Sequence, residues 1–480
     1  MKKFLDREEE IKILNNLIMR EGSHLVMMYG RRRVGKTTLL VKWAEQAELS
    51  LFYWVAKRDT KADLMSSLAQ AIYAWEHGLD FTTTPIRPQS WEEVFHMLAQ
   101  AIGEQRVIVI LDELPYILEQ DSGFGTHLQA AWDHLFQNRQ AIVMLSGSHI
   151  GMLTQLTTYH APLYGRLTAQ FPLYPLRFED IGPFLARYDL EKQLAVFAIL
   201  GGVPAYLEHW DDKHSIGHNI ERLFLQRTGW FRNEPHVLIS DLTQREVLSY
   251  EAIITAIADG YHGRSEIAKH ADIPSTNLSH YLPRLLDLHF IERRIPASTP
   301  LKKLKTANTA RYHLRDHFLR FYYRFVDPNL HLIERGLSNR LWQMMSNNLR
   351  AFVAYAFEDI CRDWVVEQAQ HGDGLPFSPD NVGSHWSKHV QIDVVAINWQ
   401  ERQLLLGECK WGDRPVAKRV LTELVEEKTP KLFTDMGEES SVWTVHTMLF
   451  ARHSFTSATQ KHALETQTQL ITLAEMMSSI

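Results

Sequence analysis

Residues 30–37 read GRRRVGKT and match the pattern G-x-x-x-x-G-K-T. The pattern follows a short apolar run, His24 to Tyr29, and precedes an apolar helix start at Thr38. In this setting the glycines let backbone N–H groups face phosphate oxygens, and the helix start favours negative charge. Lys36 is expected to reach the outer phosphates of a nucleotide and Thr37 to hold Mg²⁺, whereas the alternative is a glycine turn without a ligand. The predicted phosphate contacts are Gly30, Arg31, Arg32, Arg33, Val34, Gly35, Lys36, Thr37 and Thr38.

Acidic and hydroxyl side chains follow the next two predicted strands. Val107 to Leu111 is a continuous apolar run that leads into Asp112 and Glu113. Because Mg²⁺ prefers hard oxygen ligands, we expect Asp112 to hold the metal and Glu113 to orient or deprotonate the attacking water. The following apolar run leads into Ser146-Gly147-Ser148. Here Ser148 is predicted either to sense the terminal phosphate or to be a plain loop residue.

The arginines near these motifs have two interpretations each. Arg166 lies beyond the second of these strands and is predicted to supply charge to a transition state, as an arginine finger. A surface arginine is the alternative. The triple Arg31-Arg32-Arg33 is unusual, because these loop positions need no charge. It either adds attraction for phosphate or faces a partner.

The elements that position these residues alternate between strands and helices. A first helix is predicted from Glu8 to Met19, where apolar residues recur at helical spacing. Buried strands separated by long helical stretches predict an α/β sheet with helices on both faces. After about residue 178 the strand signals stop and helical patterns continue through Gly201-Gly202-Val203-Pro204. This stretch is predicted to be a helical lid on the α/β domain.

Six segments of the first 235 residues carry a family resemblance: FLDRE at 4–8, YGRRRVGKT at 29–37, LDE at 111–113, LSGS at 145–148, LYGR at 163–166 and GGVPAYL at 201–207. Together they resemble the archaeal-type ATPase family of prokaryotes, which is related to AAA+ proteins and to signal-transduction ATPases with numerous domains. The resemblance implies that ATP is bound and hydrolysed to ADP and phosphate. It also implies that Arg7 lies near the nucleotide base and that the Gly-Gly-x-Pro segment lies over the nucleotide.

A helix–turn–helix pattern follows the lid. A short helix at Glu266–His270 precedes a polar turn, with Ser275 predicted as the N-cap of a second helix that ends at Leu288. Tyr281 is predicted on the polar face of that second helix, beside Asn277, His280 and Arg284. Two strands, at residues 290–295 and 311–314, are predicted to form a wing whose loop carries Lys302, Lys303 and Lys305.

The charge of this segment favours a nucleic-acid partner. Residues 262–311 contain nine basic and four acidic side chains, a local charge of +5 within a chain of −6. A basic stripe on a helix–turn–helix is the expected footprint of the phosphate backbone, which predicts contact with double-stranded DNA. The alternative is a protein-docking module or a rigid spacer. The ATPase family also carries a winged helix at this place.

Two β-runs near the C-terminus bring three chemical groups into one register. If the hairpin turns symmetrically about Gln400-Glu401, paired residue numbers sum to 801 and Asp393 lies opposite Glu408. Two carboxylates at that distance repel each other unless a cation lies between them, so Mg²⁺ or Mn²⁺ is predicted here. Lys410 points to the same face of the strand because side chains repeat every two residues. It is expected to orient water or stabilise charge on a phosphate.

This arrangement resembles the PD-(D/E)-x-K nuclease superfamily. Glu358, on the preceding helix, matches an acid often found there and is assigned to the metal with Asp393 and Glu408. Gln391 stands where a second acid is common, and Cys409 replaces the more usual apolar residue. Such a domain accompanies the ATPase family. Metal-dependent DNA cleavage is one interpretation, and an inert, nuclease-shaped docking domain is the other.

Composition limits the class of protein. The 480 residues are 45% hydrophobic and 22% charged, which is typical of globular domains and excludes a disordered chain. Two cysteines exclude a disulfide framework and a thiolate zinc site, and fit a reducing compartment. The N-terminus lacks the apolar core of a signal peptide, and the longest uncharged stretch, 140–165, is interrupted by polar residues, so we expect a cytoplasmic protein without membrane contact.

The combined prediction is an α/β multidomain protein. Residues 1–178 are predicted as a P-loop NTPase core, 179–238 as a helical lid, 239–330 as a winged helix-turn-helix and 331–480 as a restriction-endonuclease-like α/β domain. The expected function is an ATPase that couples nucleotide state to DNA binding and, through the last domain, to metal-dependent DNA cleavage. The alternative is an ATP-gated signalling or assembly module. A homo-oligomer or a protein partner remains open in either case.

Overall fold

The computed structural model describes residues 7–80, 85–240, 246–307, 309–370 and 374–478. The chain divides into two compact units. The first contains residues up to Leu176 together with Val203–Tyr206, and the second contains Arg177–Gly202 and the chain from Leu207 onward.

The first unit is built on a five-stranded parallel sheet with strand order β2-β3-β4-β1-β5. All residues of the third and fourth strands are buried, as expected for strands covered on both faces. The carboxyl ends of parallel strands lie at one edge of a sheet, so the residues that follow β1, β3 and β4 share that edge. The strands are β1 His24–Tyr29, β2 Ser50–Val55, β3 Val107–Asp112, β4 Ala141–Gly147 and β5 Ala169–Pro172.

Helices cover both faces of this sheet, as predicted. Leu25 and Met27 of β1 pack in one apolar cluster with α3, α4 and α6, whereas Val26 and Met28 pack in another with α1 and α2. Alternate residues of a strand point to opposite faces, so the two clusters are the two layers of core. The helices are α1 Glu8–Ile18, α2 Lys36–Gln46, α3 Lys61–Glu76, α4 Trp91–Ile102, α5 Pro115–Gln120, α6 Phe124–Ala131 and α7 Ile150–Gln155.

The second unit begins with helices and a two-stranded antiparallel sheet formed by β6 and β7. The 3-10 turn Leu301–Thr306 lies between these strands. The elements are α8 Leu190–Leu200, α9 Pro204–Leu207 (mostly in the first unit), α10 Ile216–Ile220, α11 Glu234–Ser240, α12 Val247–Ala258, α13 Arg264–His270, α14 Leu278–Asp287, β6 Ile291–Arg294, β7 Arg311–Leu314, α15 His317–Phe321 and α16 Leu330–Glu334.

Two predictions about α14 are wrong. The helix begins at Leu278 with Asn277 as its N-cap, because the Asn277 N–H bonds to the carbonyl oxygen of Pro274 and a turn occupies the positions before it. Ser275 therefore does not cap the helix. Tyr281 is buried rather than on the polar face: its hydroxyl donates to Glu246, and its ring packs edge-on against Tyr250.

The C-terminal part of the second unit contains a mixed five-stranded sheet with order β12-β11-β10-β9-β8. The neighbours β8, β9 and β10 are antiparallel, and β10, β11 and β12 are parallel. The elements are α17 Ser338–Gln370, β8 Asn381–Trp386, β9 Gln391–Asn398, β10 Gln403–Lys410, α18 Lys418–Thr422, the π-helical turn Glu423–Lys428, α19 Thr429–Met436, β11 Thr444–Ala451, α20 Ser457–Glu465, β12 Gln469–Thr472 and α21 Leu473–Ser478.

The predicted hairpin register is confirmed. The observed pairs run from Gln403 opposite Asn398 to Gly407 opposite Val394, and every pair sums to 801. Strand β8, Asn381–Trp386, was not predicted from the sequence. Within the part of the chain that the structure describes, no helix is long and apolar enough to cross a bilayer.

Candidate nucleotide site and C-terminal acidic site

The loop between β1 and α2 closes around the side chain of Lys36. The Lys36 ammonium donates to the carbonyl oxygens of Gly30 (2.8 Å) and Arg31 (3.2 Å). Gly30 has no room for a side chain, since an added Cβ would lie 2.3 Å from the carbonyl oxygen of Leu173. Gly35 caps α2 with φ of 96°, a conformation that favours glycine. Burial lowers the pKa of Lys36, although Glu113 and Asp112 oppose this shift.

Thr37 and Asp112 meet beside the loop. The Thr37 hydroxyl donates to Asp112 Oδ2 at 2.6 Å, and the Tyr53 hydroxyl lies 3.4 Å from the same oxygen. Burial, with a further contribution from Asp112, raises the pKa of Tyr53 to about 12. A threonine hydroxyl and a carboxylate are oxygen donors of the kind that Mg²⁺ prefers, so this pair fits a magnesium ion.

Glu113 and Ser148 form a second pair at the same edge of the sheet. Ser148 donates to Glu113 Oε2 through its hydroxyl (2.9 Å) and its backbone N–H (3.2 Å). Glu113 has φ of 54°, which is uncommon for a residue with a side chain and is typical of strained positions at functional sites. The two hydrogen bonds from Ser148 therefore restrain the Glu113 carboxylate. Ser146 is buried, and its hydroxyl makes no hydrogen bond among the described residues.

The predicted arginines have defined partners. Arg7 donates to the carbonyl oxygens of Val34 (3.2 Å) and Tyr174 (2.7 Å), so it connects the phosphate loop to the chain that follows β5. Arg166 forms a two-pronged ion pair with Asp133, with both N···O distances 2.8 Å. The structure thus brings Lys36, Thr37, Asp112, Glu113 and Ser148 together and holds Arg166 on Asp133.

Arg31 and Arg32 bond to two tyrosines that sequence analysis did not single out. Arg31 Nη2 donates to the Tyr206 hydroxyl at 3.0 Å, and Arg32 Nη2 donates to the Tyr116 hydroxyl at 2.8 Å. Tyr116 lies on α5 and Tyr206 on α9. Arg33 has φ of 71° within the loop. Arg31-Arg32-Arg33 was interpreted as attracting phosphate or as facing a partner. The two hydrogen bonds to tyrosines add a third interpretation, in which Arg31 and Arg32 attach the loop to the rest of the first unit.

The C-terminal sheet holds Asp393 and Glu408 at the end of the paired hairpin. Asp393 Oδ2 accepts the backbone N–H of Cys409 at 3.0 Å, and the Lys410 ammonium donates to Glu408 Oε1 at 2.7 Å. Burial raises the pKa of Asp393, and Glu408 raises it further. Burial also raises the pKa of Glu358 to about 8, with a further contribution from Asp393. Asp393 therefore contributes to the raised pKa of Glu358, and Glu408 contributes to that of Asp393.

Lys428 is a member of this site that sequence analysis missed. Its ammonium donates to both Glu408 oxygens, at 2.7 and 2.9 Å. No local sequence pattern distinguishes Lys428 from other lysines of the chain. Among the described residues, no three histidine, cysteine or carboxylate groups are arranged to hold a metal ion. Because Glu408 is bound to two lysines, it can hold a metal ion together with Asp393 and Glu358 only after at least one of these ion pairs is broken.

A buried ion cluster lies beside this site. Asp359 accepts hydrogen bonds from Arg294 of β6 (2.7 Å), Arg320 of α15 (3.2 Å) and Arg362 of its own helix. Arg362 also donates to the backbone carbonyl oxygen of Asp393 at 2.9 Å. Asp359 therefore connects three elements of the second unit and, through Arg362, supports the strand that carries Asp393.

Comparisons with known proteins agree with the P-loop geometry. The family described as "ATPase domain predominantly from Archaea" matches residues 4–210, and the family described as "Archaea bacterial proteins of unknown function" matches residues 322–427. An uncharacterized protein of Methanocaldococcus jannaschii is 27% identical over 445 residues, which are 92% of each chain. An uncharacterized ATP-binding protein of the same organism is 39% identical over 46 residues, which are 10% of this chain and 78% of that protein.

A solved structure shares the fold. A Walker-type ATPase of Pyrococcus abyssi superimposes with a TM-score of 0.50 and 21% identity, covering 67% of this chain and 96% of that one. At that identity the likeness shows the fold alone. Residues 4–210 are thus similar to the ATPase domain found predominantly in Archaea, and residues 322–427 are similar to the family described as "Archaea bacterial proteins of unknown function".

Proposed function

We propose that the first unit binds ATP and hydrolyses it to ADP and phosphate. The observation that carries this proposal is the convergence of Lys36, Thr37 and Asp112 at the carboxyl edge of a parallel sheet, with the Thr37–Asp112 hydrogen bond at 2.6 Å. Thr37 and Asp112 would hold Mg²⁺, which neutralises negative charge on the phosphate oxygens when bound. The lysine is already directed into the loop by two carbonyl oxygens, which a phosphate would replace.

Glu113 is the proposed group that orients the attacking water. Its carboxylate is held at Oε2 by Ser148, and its other oxygen has no hydrogen bond from the described residues, so that oxygen can accept from water. Arg166 keeps its proposed role as a source of charge for the transition state only if it leaves Asp133. The backbone amides of the loop supply the remaining phosphate contacts.

Two substitutions test this site. Lys36→Ala should abolish ATP binding or turnover, and Glu113→Gln should lower turnover while ATP binding persists. Lys42→Ala is the matched control, since Lys42 lies on the same helix and pairs with Glu45 at the surface. Binding is measured with a fluorescent ATP analogue and turnover by phosphate release. Full turnover in Lys36→Ala would show that the phosphate site is wrong.

We also propose that α13, α14 and the β6–β7 pair form a winged helix that binds double-stranded DNA. The two antiparallel strands enclose the exposed lysines of the turn between them, within a segment of charge +5. The proposed domains are those predicted above, with this module at 239–330. Each phosphate contact contributes about −0.9 to the slope of log affinity against log salt.

The salt dependence of binding tests this second proposal. We expect a triple alanine substitution in the turn to reduce the slope by up to about 2.7, whereas three exposed lysines elsewhere should leave it unchanged. An unchanged slope in the first variant would refute DNA contact through the wing. The substituted residues are Lys302, Lys303 and Lys305 in the test variant and Lys57, Lys213 and Lys461 in the control.

For the C-terminal site we propose two functions that one assay separates. The pairing of β9 with β10, which continues towards Asp393 and Glu408, and the Lys410–Glu408 hydrogen bond support metal-dependent DNA cleavage. The two lysines on Glu408 favour an inert docking domain. Plasmid DNA incubated with the protein, ATP and Mg²⁺ or Mn²⁺ distinguishes them. Cleavage that Lys410→Ala removes supports the first function, and intact plasmid with either metal supports the second.

A further inference from the structure

A buried side-chain pair, Arg31 and Tyr206, joins the phosphate loop to the Val203–Tyr206 segment within the first unit. Besides its hydrogen bond to the Tyr206 hydroxyl, the Arg31 guanidinium lies over the Tyr206 ring, 5.5 Å from its centroid. Tyr206 is fully buried and Arg31 is 8% exposed. A guanidinium over an aromatic ring gains cation–π attraction, which is larger when water is excluded. The pair is therefore a firm contact between the loop and α9.

The chain around Tyr206 makes this contact unusual. Val203–Tyr206 belongs to the first unit, although the residues on both sides of it, up to Gly202 and from Leu207, belong to the second. Gly201 ends α8 with φ of 64°, and Pro204 begins α9, so the chain changes direction on entry. Four residues thus carry the backbone into the first unit and out again.

Lys36 connects the same pair to the phosphate position. Its ammonium donates to the carbonyl oxygen of Arg31 as well as to that of Gly30. A phosphate that binds the ammonium competes with both carbonyl oxygens. The carbonyl group of Arg31 would then lose its hydrogen bond from Lys36. A change in the backbone of Arg31 would reach Tyr206 through the Arg31 side chain, which donates to the Tyr206 hydroxyl.

We propose that Arg31 is a positioning residue that couples occupancy of the phosphate loop to the Val203–Tyr206 segment, and through the continuous backbone to α8 and to the chain after Leu207. This inference rests on the proposed binding of ATP. In this proposal Arg31 acts through a contact within the protein, its hydrogen bond to Tyr206. ATP binding should therefore change the hydrogen exchange of backbone amides around residues 199–210.

Two matched substitutions test the coupling. Tyr206→Phe removes the hydroxyl that accepts from Arg31 and keeps the ring, and Tyr116→Phe removes the equivalent acceptor of Arg32 on the other side of the loop. Each variant lacks one oxygen atom. Hydrogen exchange of residues 199–210 is measured by mass spectrometry with and without ATP, and the ATP Kd is measured alongside it. Arg31→Lys is a second variant, which keeps the charge and loses the planar group, in case Tyr206→Phe lowers stability.

Because a hydrogen bond to a charged group shifts an equilibrium by about tenfold or more, we expect Tyr206→Phe to lose most of the ATP-induced change in exchange while ATP still binds. Arg31→Lys, measured at saturating ATP because Arg31 belongs to the phosphate loop, should lose that change as well. Tyr116→Phe should keep that change. The coupling is refuted if ATP binds the wild-type protein without altering this segment, or if both test variants respond as wild type does. Absence of ATP binding to the wild-type protein would instead refute the proposed function itself.

Discussion

Asp359 is the residue whose replacement should destabilise the second unit most clearly. Its carboxylate accepts from three arginines that come from β6, α15 and α17. Burial opposes ionisation, but Arg294, Arg362 and Arg320 together lower the pKa of Asp359. The replacement Asp359→Asn keeps the shape of the side chain and removes its charge. Three arginine side chains, each less than 20% exposed, would then lose their ion pair with Asp359.

The expected cost follows from the charges left behind. Removing one partner of a buried ion pair costs about 3–5 kcal/mol, since the remaining charge is not compensated. For a domain of this size, each kcal/mol lowers the melting temperature by about 2–4 °C, so we expect a fall of about 6–20 °C. The lowered pKa means that the stabilisation is present above the pKa of the unfolded chain and is lost only in acid. The effect should therefore be constant between pH 6 and 8.5.

The neighbouring carboxylate supplies a comparison of opposite sign. The pKa of Glu358 is raised to about 8, from 4.5 in the unfolded chain, first by burial and then by Asp393. The unfolded chain releases this proton at lower pH, so stability is lost as the pH rises between these values. At about 1.4 kcal/mol per pKa unit, Glu358→Gln should gain on the order of a few kcal/mol relative to wild type as the pH rises from 5 to 8.5.

Melting of both variants, followed by circular dichroism across pH 5–8.5, measures these effects. Glu427→Gln is the surface control, because Glu427 is exposed and should respond to neither change. If Asp359→Asn melts with the wild-type protein at every pH, the arginines do not depend on Asp359 and the reasoning fails. If Glu358→Gln shows no gain at high pH, burial has not raised that pKa.

Two further predictions concern the two sites. Gly30→Ala should raise the ATP Kd by at least about tenfold, because the new Cβ would lie 2.3 Å from the carbonyl oxygen of Leu173. Gly151→Ala is the control and should leave the Kd unchanged, because the nearest atom to its new Cβ is 3.9 Å away. A nucleotide titration measures both Kd values. Lys428→Gln should strengthen Mn²⁺ binding by at least about tenfold, because the substitution removes an ammonium group from Glu408. Electron paramagnetic resonance measures the fraction of Mn²⁺ that is bound. Micromolar Mn²⁺ binding at Glu408 in the wild-type protein would contradict the prediction.

Local patterns predicted the features that depend on neighbouring residues. The phosphate loop was predictable because glycine spacing, the lysine and the helix start lie within eight residues. The hairpin register was predictable because a turn about residues 400–401 fixes every pair. Strand β8 was not, since NVGSHW has no alternation of apolar residues and becomes a strand by pairing with β9, with a register shift between Gly383 and His385.

Contacts between distant parts of the chain escaped prediction. Lys428 lies 20 residues after Glu408, and the π-helical turn Glu423–Lys428 changes the helical phase, so a 3.6-residue period does not place its side chain. Arg294 reaches Asp359 across 65 residues and Arg31 reaches Tyr206 across 175. Arginine and tyrosine at such separations carry no shared sequence signal. Their pairing is a property of the folded chain.

The two acidic sites differ in what satisfies their carboxylates, and this difference has a chemical consequence. Asp112 and Glu113 accept from the neutral hydroxyl groups of Thr37 and Ser148, whereas the nearby Lys36 ammonium donates to the carbonyl oxygens of Gly30 and Arg31. A cation can therefore be received by these acids without first displacing a hydrogen-bonded ammonium group from them. Glu408 accepts from two ammonium groups, so a divalent cation must displace at least one of them. The first site can thus receive a metal-bound nucleotide as we propose, whereas the second must rearrange before any metal-dependent step.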